Sequence, residues 1–193
     1  MRKIINLALI ALIALFVWVL ISGIREPILF KAELDKREGA VEERLKEIRV
    51  AQELHRDITG GFAPTFDSLN YVLRNGRIPT ISVFGDPDDP SNTEAIRYDT
   101  SYVNASDKVV ELELNLDSLR YVPFSNNEVF SIFADTLTYQ STLVHVVEVG
   151  VEQSKFMGKF ADPSYARYDN SYDPKRFLKF GDRNAPNTSG NWE

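Results

Sequence analysis

From Ile4 to Ile24 the chain reads IINLALIALIALFVWVLISGI, 21 residues interrupted only by Asn6, Ser22 and Gly23. As a helix this run is about 31 Å long at 1.5 Å per residue. That matches a bilayer hydrocarbon core of about 30 Å. A cleaved signal peptide has a shorter apolar region and a small-residue cleavage site. Ile21-Ser22-Gly23-Ile24 is a poor site of that kind, so the run is read as a retained anchor. Ile4, Leu7, Ala11, Ala14, Phe16, Trp18 and Ile24 are its lipid-level residues. Arg2 and Lys3 place positive charge on the short side, which keeps that end cytoplasmic by the positive-inside rule. Arg25 and Lys31 oppose the bias but are accompanied by Glu26 and Glu33.

The run continues without a break into charged sequence of helical period. Phe30, Leu34, Val41, Leu45, Ile48, Ala51 and Ile58 recur mostly at steps of three, four or seven, one buried stripe on an amphipathic helix. Pro27 either sits inside one long rod or marks the junction of two helices. Glu33 and Arg37 are an i,i+4 pair. Lys31 to Gly39 is charged nearly all round and is expected to be a bare stalk, and Gly60-Gly61 is a left-handed cap.

Beyond the spine, Phe66 to Leu73 is predicted to be a short helix capped by Thr65 and stopped at Asn75-Gly76. Arg77 to Phe84 reads as extended, and Val110 to Leu116 (VELELNL) as a half-buried strand. Glu128 to Thr138 and Thr142 to Gln153 read as antiparallel strands, with Leu143, His145, Val147 and Val149 in phase. From Ser154 onward the sequence is rich in Tyr, Phe, Pro, Asn and Gly. It is too aromatic for a disordered tail, so an arm over the sheet is expected. Phe156 to Phe160 would cap the sheet, while Tyr165, Tyr168, Tyr172 and Trp192 are candidates for a partner surface. The expected layout is 1–3 cytoplasmic, 4–24 anchor, 25–61 stalk and spine, 62–181 head, and 182–193 loose tail. The expected fold class is α+β: a membrane helix continuing into a spine packed on a small antiparallel sheet.

The chemistry-bearing residues are few. The 193 residues contain no cysteine, which removes disulfides, thiolate metal sites and cysteine nucleophiles. Lys and Arg total 22 against 28 Asp and Glu, so no basic face suggests nucleic acid. Two histidines, His55 and His145, read as a solvated helix histidine and a strand histidine. Asp86, Asp88, Asp89 and Glu94 lie in a polar loop and are candidate calcium ligands, but the order lacks the glycine and terminal bidentate position of an EF-hand. A solvated turn is preferred, and no cofactor is expected. Neither a Gly-x-Ser-x-Gly elbow nor a phosphate-binding glycine loop occurs, and no enzyme is expected.

Ile48-Arg49-Val50-Ala51-Gln52, Gly60-Gly61-Phe62-Ala63-Pro64 and Asp67-Ser68-Leu69 resemble the pseudopilin and type IV pilin family. There a lipid-embedded half-helix continues into an amphipathic half, turns through a Gly-aromatic-x-Pro segment and leads to a small antiparallel sheet. The likeness covers about the first 75 residues. The apolar run here has neither the preceding glycine nor the acidic residue of that family, so peptidase processing and self-assembly through that acid are not expected. More broadly, Pro27-Ile28-Leu29-Phe30, Leu119-Arg120-Tyr121-Val122-Pro123-Phe124 and Gly190-Asn191-Trp192-Glu193 resemble a membrane-anchored family of the Bacteroidota. That resemblance implies an inner-membrane, single-pass protein with its head in the periplasm. It also implies O-glycosylation at the Asp-Ser/Thr-apolar triplets of Ser68, Ser118 and Thr136.

The function expected is a non-catalytic subunit or scaffold of an envelope assembly, of secretion or filament type. Leu7, Ala11, Ala14 and Trp18 share one face on which another helix, including a second copy, can pack closely. Membrane lipid and other envelope proteins are the expected partners. A tethered ligand-binding or sensing module is the alternative, and an envelope hydrolase a third reading.

Overall fold

The computed structural model describes residues 2–84 and 97–193. One helix, α1 (Arg2–Thr59), runs unbroken through Pro27. Proline has no N–H to donate to Gly23 four residues back, yet the helix continues on both sides. Its 58 residues make a rod about 87 Å long. The first part, to Ile24, is exposed throughout; from Phe30 onward the stripe Phe30, Leu34, Val41, Leu45, Ile48 and Ala51 is buried. This helix is long and apolar enough to cross a membrane. Gly60 ends it in the left-handed region (φ +85°), its N–H donating to the Arg56 carbonyl at 2.7 Å.

The second helix, α2 (Phe66–Asn75), begins as expected: the Ser68 N–H donates to the Thr65 hydroxyl. Strands β1 (Arg77–Phe84) and β2 (Arg97–Asn104) form an antiparallel ribbon. A short helix, α3 (Ala105–Glu111), follows. Strands β3 (Ser131–Tyr139) and β4 (Thr142–Glu152) form a hairpin, and β5 (Phe177–Gly181) pairs with the other edge of β4. Between β4 and β5 lie α4 (Ser154–Met157) and two 3-10 turns, Gly158–Phe160 and Pro163–Arg167. The core fills the space between α1, α2 and one face of the three-stranded sheet. Val147, Val149, Val151, Leu178 and Phe180 meet the spine residues there.

Four expectations are corrected. Val110 to Leu116 is not a strand but the end of α3 and a turn through Glu113 (φ +54°). Val110 and Leu112 are exposed while Leu114 and Leu116 are buried, the reverse of one strand face. Leu143, placed in phase with the core, lies at the open hairpin end and is 73% exposed. The supposed bare stalk is covered. Leu34 is buried, Arg37 donates to the Phe156 carbonyl at 2.7 Å, and Glu38 pairs with Arg176 at 3.2 Å. Burial raises the Glu38 carboxyl above its ordinary value despite that partner. The supposed loose tail is tied along the outer edge of β5. The Asn191 N–H donates to the Lys179 carbonyl at 2.9 Å, Gly190 bridges Phe180, and Arg49 holds Glu193 at 2.7 Å.

The back of the sheet carries a buried acid. Glu148, 8% exposed, accepts from Lys179 at 2.5 Å and Arg183 at 2.6 Å. Burial pushes its carboxyl up, but the hydrogen bonds from Lys179 and Arg183 outweigh burial and hold it below the usual value. A depressed folded value stabilises above the unfolded value and is lost as pH falls through the folded one. Glu148→Gln is expected to cost about 1.5–3 kcal/mol at neutral pH. The gap from wild type closes as pH drops below 4.5. Denaturation midpoints of both proteins across pH check this.

Candidate functional site

The C-terminal end of α1 organises the candidate site. Gly76 closes α2, and its backbone passes so near α1 that a Cβ there would meet Ile58 at 3.1 Å. The Ala105 N–H donates to the Gly76 carbonyl at 3.0 Å, pinching the base of the ribbon. Strand alternation then separates its faces. Pro79 opposite Tyr102 and Ile81 opposite Thr100, with Tyr98 one step on, form one face. Ile78, Thr80 and Ser82 opposite Val103, Ser101 and Asp99 form the other.

The first face has no covering layer among the described residues. Ile81, Tyr98 and Tyr102 are 63%, 68% and 65% exposed. Two-stranded ribbons are marginal on their own, and exposed apolar patches mark interaction sites. Pro79 withholds an N–H from β1, a common way of blunting a sheet edge. Tyr71 of α2 and Val110 of α3, on the helices that precede and follow the ribbon in sequence, are also exposed. Between α2 and α3 lies a cleft of about 440 Å³ whose floor includes Leu73, Val109, Leu114 and Leu116. Arg74 and Asp117, paired at 2.6 Å, stand at its rim.

The aromatic candidates turn inward instead. Tyr165, Tyr168 and Tyr172 surround Phe30 of α1, with ring centroids 5.1, 6.3 and 5.0 Å away; Phe160 completes the cage at 5.8 Å. The Tyr172 hydroxyl donates to the Phe160 carbonyl at 2.5 Å, and burial pushes its phenol up to about 12. Trp192 packs half-buried against the core. These residues hold the arm to the spine, so the partner surface expected there is largely consumed within the chain.

His55 is not solvated but 5% exposed, its Nδ1 lying 2.8 Å from the Gly61 carbonyl. A carbonyl only accepts, so Nδ1 carries the proton and donates. His145 is exposed, sits 2.9 Å from the Thr136 hydroxyl, and its ring lies over Gly61. The two histidines thus flank one turn. Among the described residues no three of His, Asp and Glu converge to hold a metal. Asp86, Asp88, Asp89 and Glu94 lie outside the described residues. Of the O-glycosylation candidates, Thr136 is exposed, while Ser68 and Ser118 are half-buried and Ser118 accepts from Arg44 through both its carbonyl and its hydroxyl.

Sequence reading found β1 but missed its partner β2, and with it the ribbon. RYDTSYVN has the β-favouring Tyr, Thr and Val of a strand, and the Tyr98–Thr100–Tyr102 alternation was the available signal. Compared with known proteins, the chain matches no family model, and no curated protein or solved structure is significantly similar to it.

Proposed function

We propose that this chain is a membrane-anchored, non-catalytic subunit of an envelope assembly, built on a pilin-like plan, with its anchor in the inner membrane and its head in the periplasm. It works by contact: anchor helices pack laterally and the distal ribbon engages a neighbouring envelope protein. The observation that carries this reading is the exposed Pro79–Ile81–Tyr98–Tyr102 face, on a ribbon that packs against the same continuous helix as the apolar run. A face of that composition is expected to be covered when the protein is in place. A continuous helix would transmit force between the bilayer and the partner without a hinge.

Photocrosslinking tests it. A benzoylphenylalanine at residue 81 or 102, introduced into the full chain in its native membrane, is expected to yield discrete adducts. The same probe at Thr80, on the opposite face, is expected to yield far fewer. Equal yields from both faces, or none from either, would remove the ribbon from the assembly role. The α2–α3 cleft supports the second reading, a tethered ligand-binding module, because its size and apolar floor fit small-molecule sites. That reading gains if the ribbon yields no adducts and the purified protein carries an apolar ligand.

A further inference from the structure

The arm touches α1 close to the end of the apolar run. Arg167 reaches the Glu26 carboxylate at 3.5 Å, and the Tyr168 hydroxyl donates to Glu26 at 2.8 Å. Glu26 is two residues past Ile24, about 3 Å along the helix axis. The headgroup layer on each side of the hydrocarbon core is about 5–7 Å deep. An anchor of Ile4 to Ile24 therefore puts Glu26, Arg167 and the Tyr168 hydroxyl inside that layer.

The open side of the helix agrees. Leu20, Ile24 and Ile28 form one i,i+4 row, 64%, 57% and 62% exposed, so the lipid-facing row runs a full turn beyond Ile24. Glu26, Phe30 and Leu34 form the opposite row, covered by the arm. Between the two sides is a groove of about 500 Å³ lined by Pro27, Ile28, Lys31, Ala32, Asp35 and Tyr168. Its lower end, at Pro27 and Ile28, lies about 5–6 Å past Ile24 and so within the headgroup layer, while Lys31, Ala32 and Asp35 stand above it. Tyrosine, and arginine or lysine with apolar stems, are the side chains favoured at that depth.

We propose that the membrane-proximal end of the head is a collar seated in the lipid headgroup layer, formed by the Pro163–Arg167 turn with Tyr168 and by the helix surface at Pro27 and Ile28. The inference rests on the anchor reading above. Its electrostatics select zwitterionic lipid as sufficient. Arg25, Lys31 and Arg167 face Glu26, Asp35, Asp162 and Asp169, so the set is close to neutral. Glu26 is bound by Arg167, and Lys31 lies 3.4 Å from Asp169 and 3.8 Å from Asp35. With three of its acids beside a cation and Asp162 bound by the Ser164 N–H at 2.7 Å, the collar has no large charge of either sign, so it is not strongly repelled by a bilayer surface and needs no anionic lipid to hold it there.

The absence of cysteine makes the test direct. Trp18→Cys, Pro163→Cys, Ser164→Cys and Ser68→Cys, each in the full chain, carry a nitroxide label into phosphatidylcholine vesicles, with and without phosphatidylglycerol. Collision with oxygen and with a water-soluble nickel chelate reports depth. Position 18 is expected to be shielded from nickel. Positions 163 and 164 are expected to be shielded severalfold relative to 68, equally in both lipids. Labels at 163 and 164 as accessible to nickel as 68, with 18 in lipid, would overturn the collar alone. Shielding seen only with phosphatidylglycerol would overturn its neutral character and thus the proposal. A nickel-accessible label at 18 would overturn the anchor and the collar together.

Discussion

Phe30→Ala is expected to cost about 3–5 kcal/mol, the range for removing a buried aromatic side chain. It is also expected to free the arm from the spine. Phe30 is fully buried and touches Phe160, Tyr165, Tyr168 and Tyr172, stacked on Tyr165 and edge-on to Tyr172. Alanine leaves a cavity that four rings from one irregular segment cannot all collapse into. What remains between the Pro163–Tyr172 stretch and the helix is polar, such as Lys31–Asp169 at 3.4 Å and Arg167–Glu26 at 3.5 Å. Such pairs contribute about 0–1 kcal/mol each. The loss should therefore be local before it is global. Trypsin cleavage after the exposed Lys159 and Arg167 should accelerate well before the sheet unfolds, and the denaturation midpoint should fall. Unchanged cleavage with an unchanged midpoint would mean that the cage does not hold the arm.

Gln52→Leu is expected to be comparably damaging although it keeps the volume. Gln52 is fully buried and imitates a peptide group: Ala63 donates its N–H to Oε1 at 2.8 Å, and Nε2 donates to the Ala63 carbonyl at 3.0 Å. Leucine strands both backbone groups in an apolar setting, at about 1–3 kcal/mol each, or about 2–6 kcal/mol in all. Ala63 is itself buried, so water cannot easily replace the lost partner. Because this pair fixes the reversal between α1 and α2, the ribbon's base should lose protection from hydrogen exchange along with it. Gln52→Glu retains an acceptor for the N–H but sets a carboxylate against a carbonyl. A Gln52→Leu cost below about 1 kcal/mol would contradict the burial-based range given for such groups.

Much of the architecture was legible because it is written in local periods. The stripe from Phe30 to Ala51, the Thr65 cap, the Gly60 turn and the β3–β4 hairpin each depend on neighbours within a few residues, and each appears where the pattern put it. VELELNL misled because its alternation over seven residues fits a strand as well as the end of a short helix. Only the packing of Leu114 and Leu116 against the core chose between them. The charged Lys31–Gly39 segment misled for another reason. Its charges are real, but they meet partners more than a hundred residues away: Phe156 for Arg37, Asp169 for Lys31, Arg176 for Glu38.

The candidate surfaces divide in the same way. Aromatic enrichment after Ser154 was visible in composition, yet composition carries no direction. The fold turned those rings onto Phe30 and left the tyrosines of β2 outside.

By itself, the sequence determined that one helix is apolar for the thickness of a bilayer and amphipathic thereafter, since hydrophobicity and its period are properties of consecutive residues. The tertiary structure alone decided which aromatics are buried, how far down the spine the head reaches, and that the tail closes the edge of β5. Those outcomes depend on pairings between segments distant in the chain, such as Phe30 with Tyr165 and Lys179 with Asn191, and no local pattern encodes them.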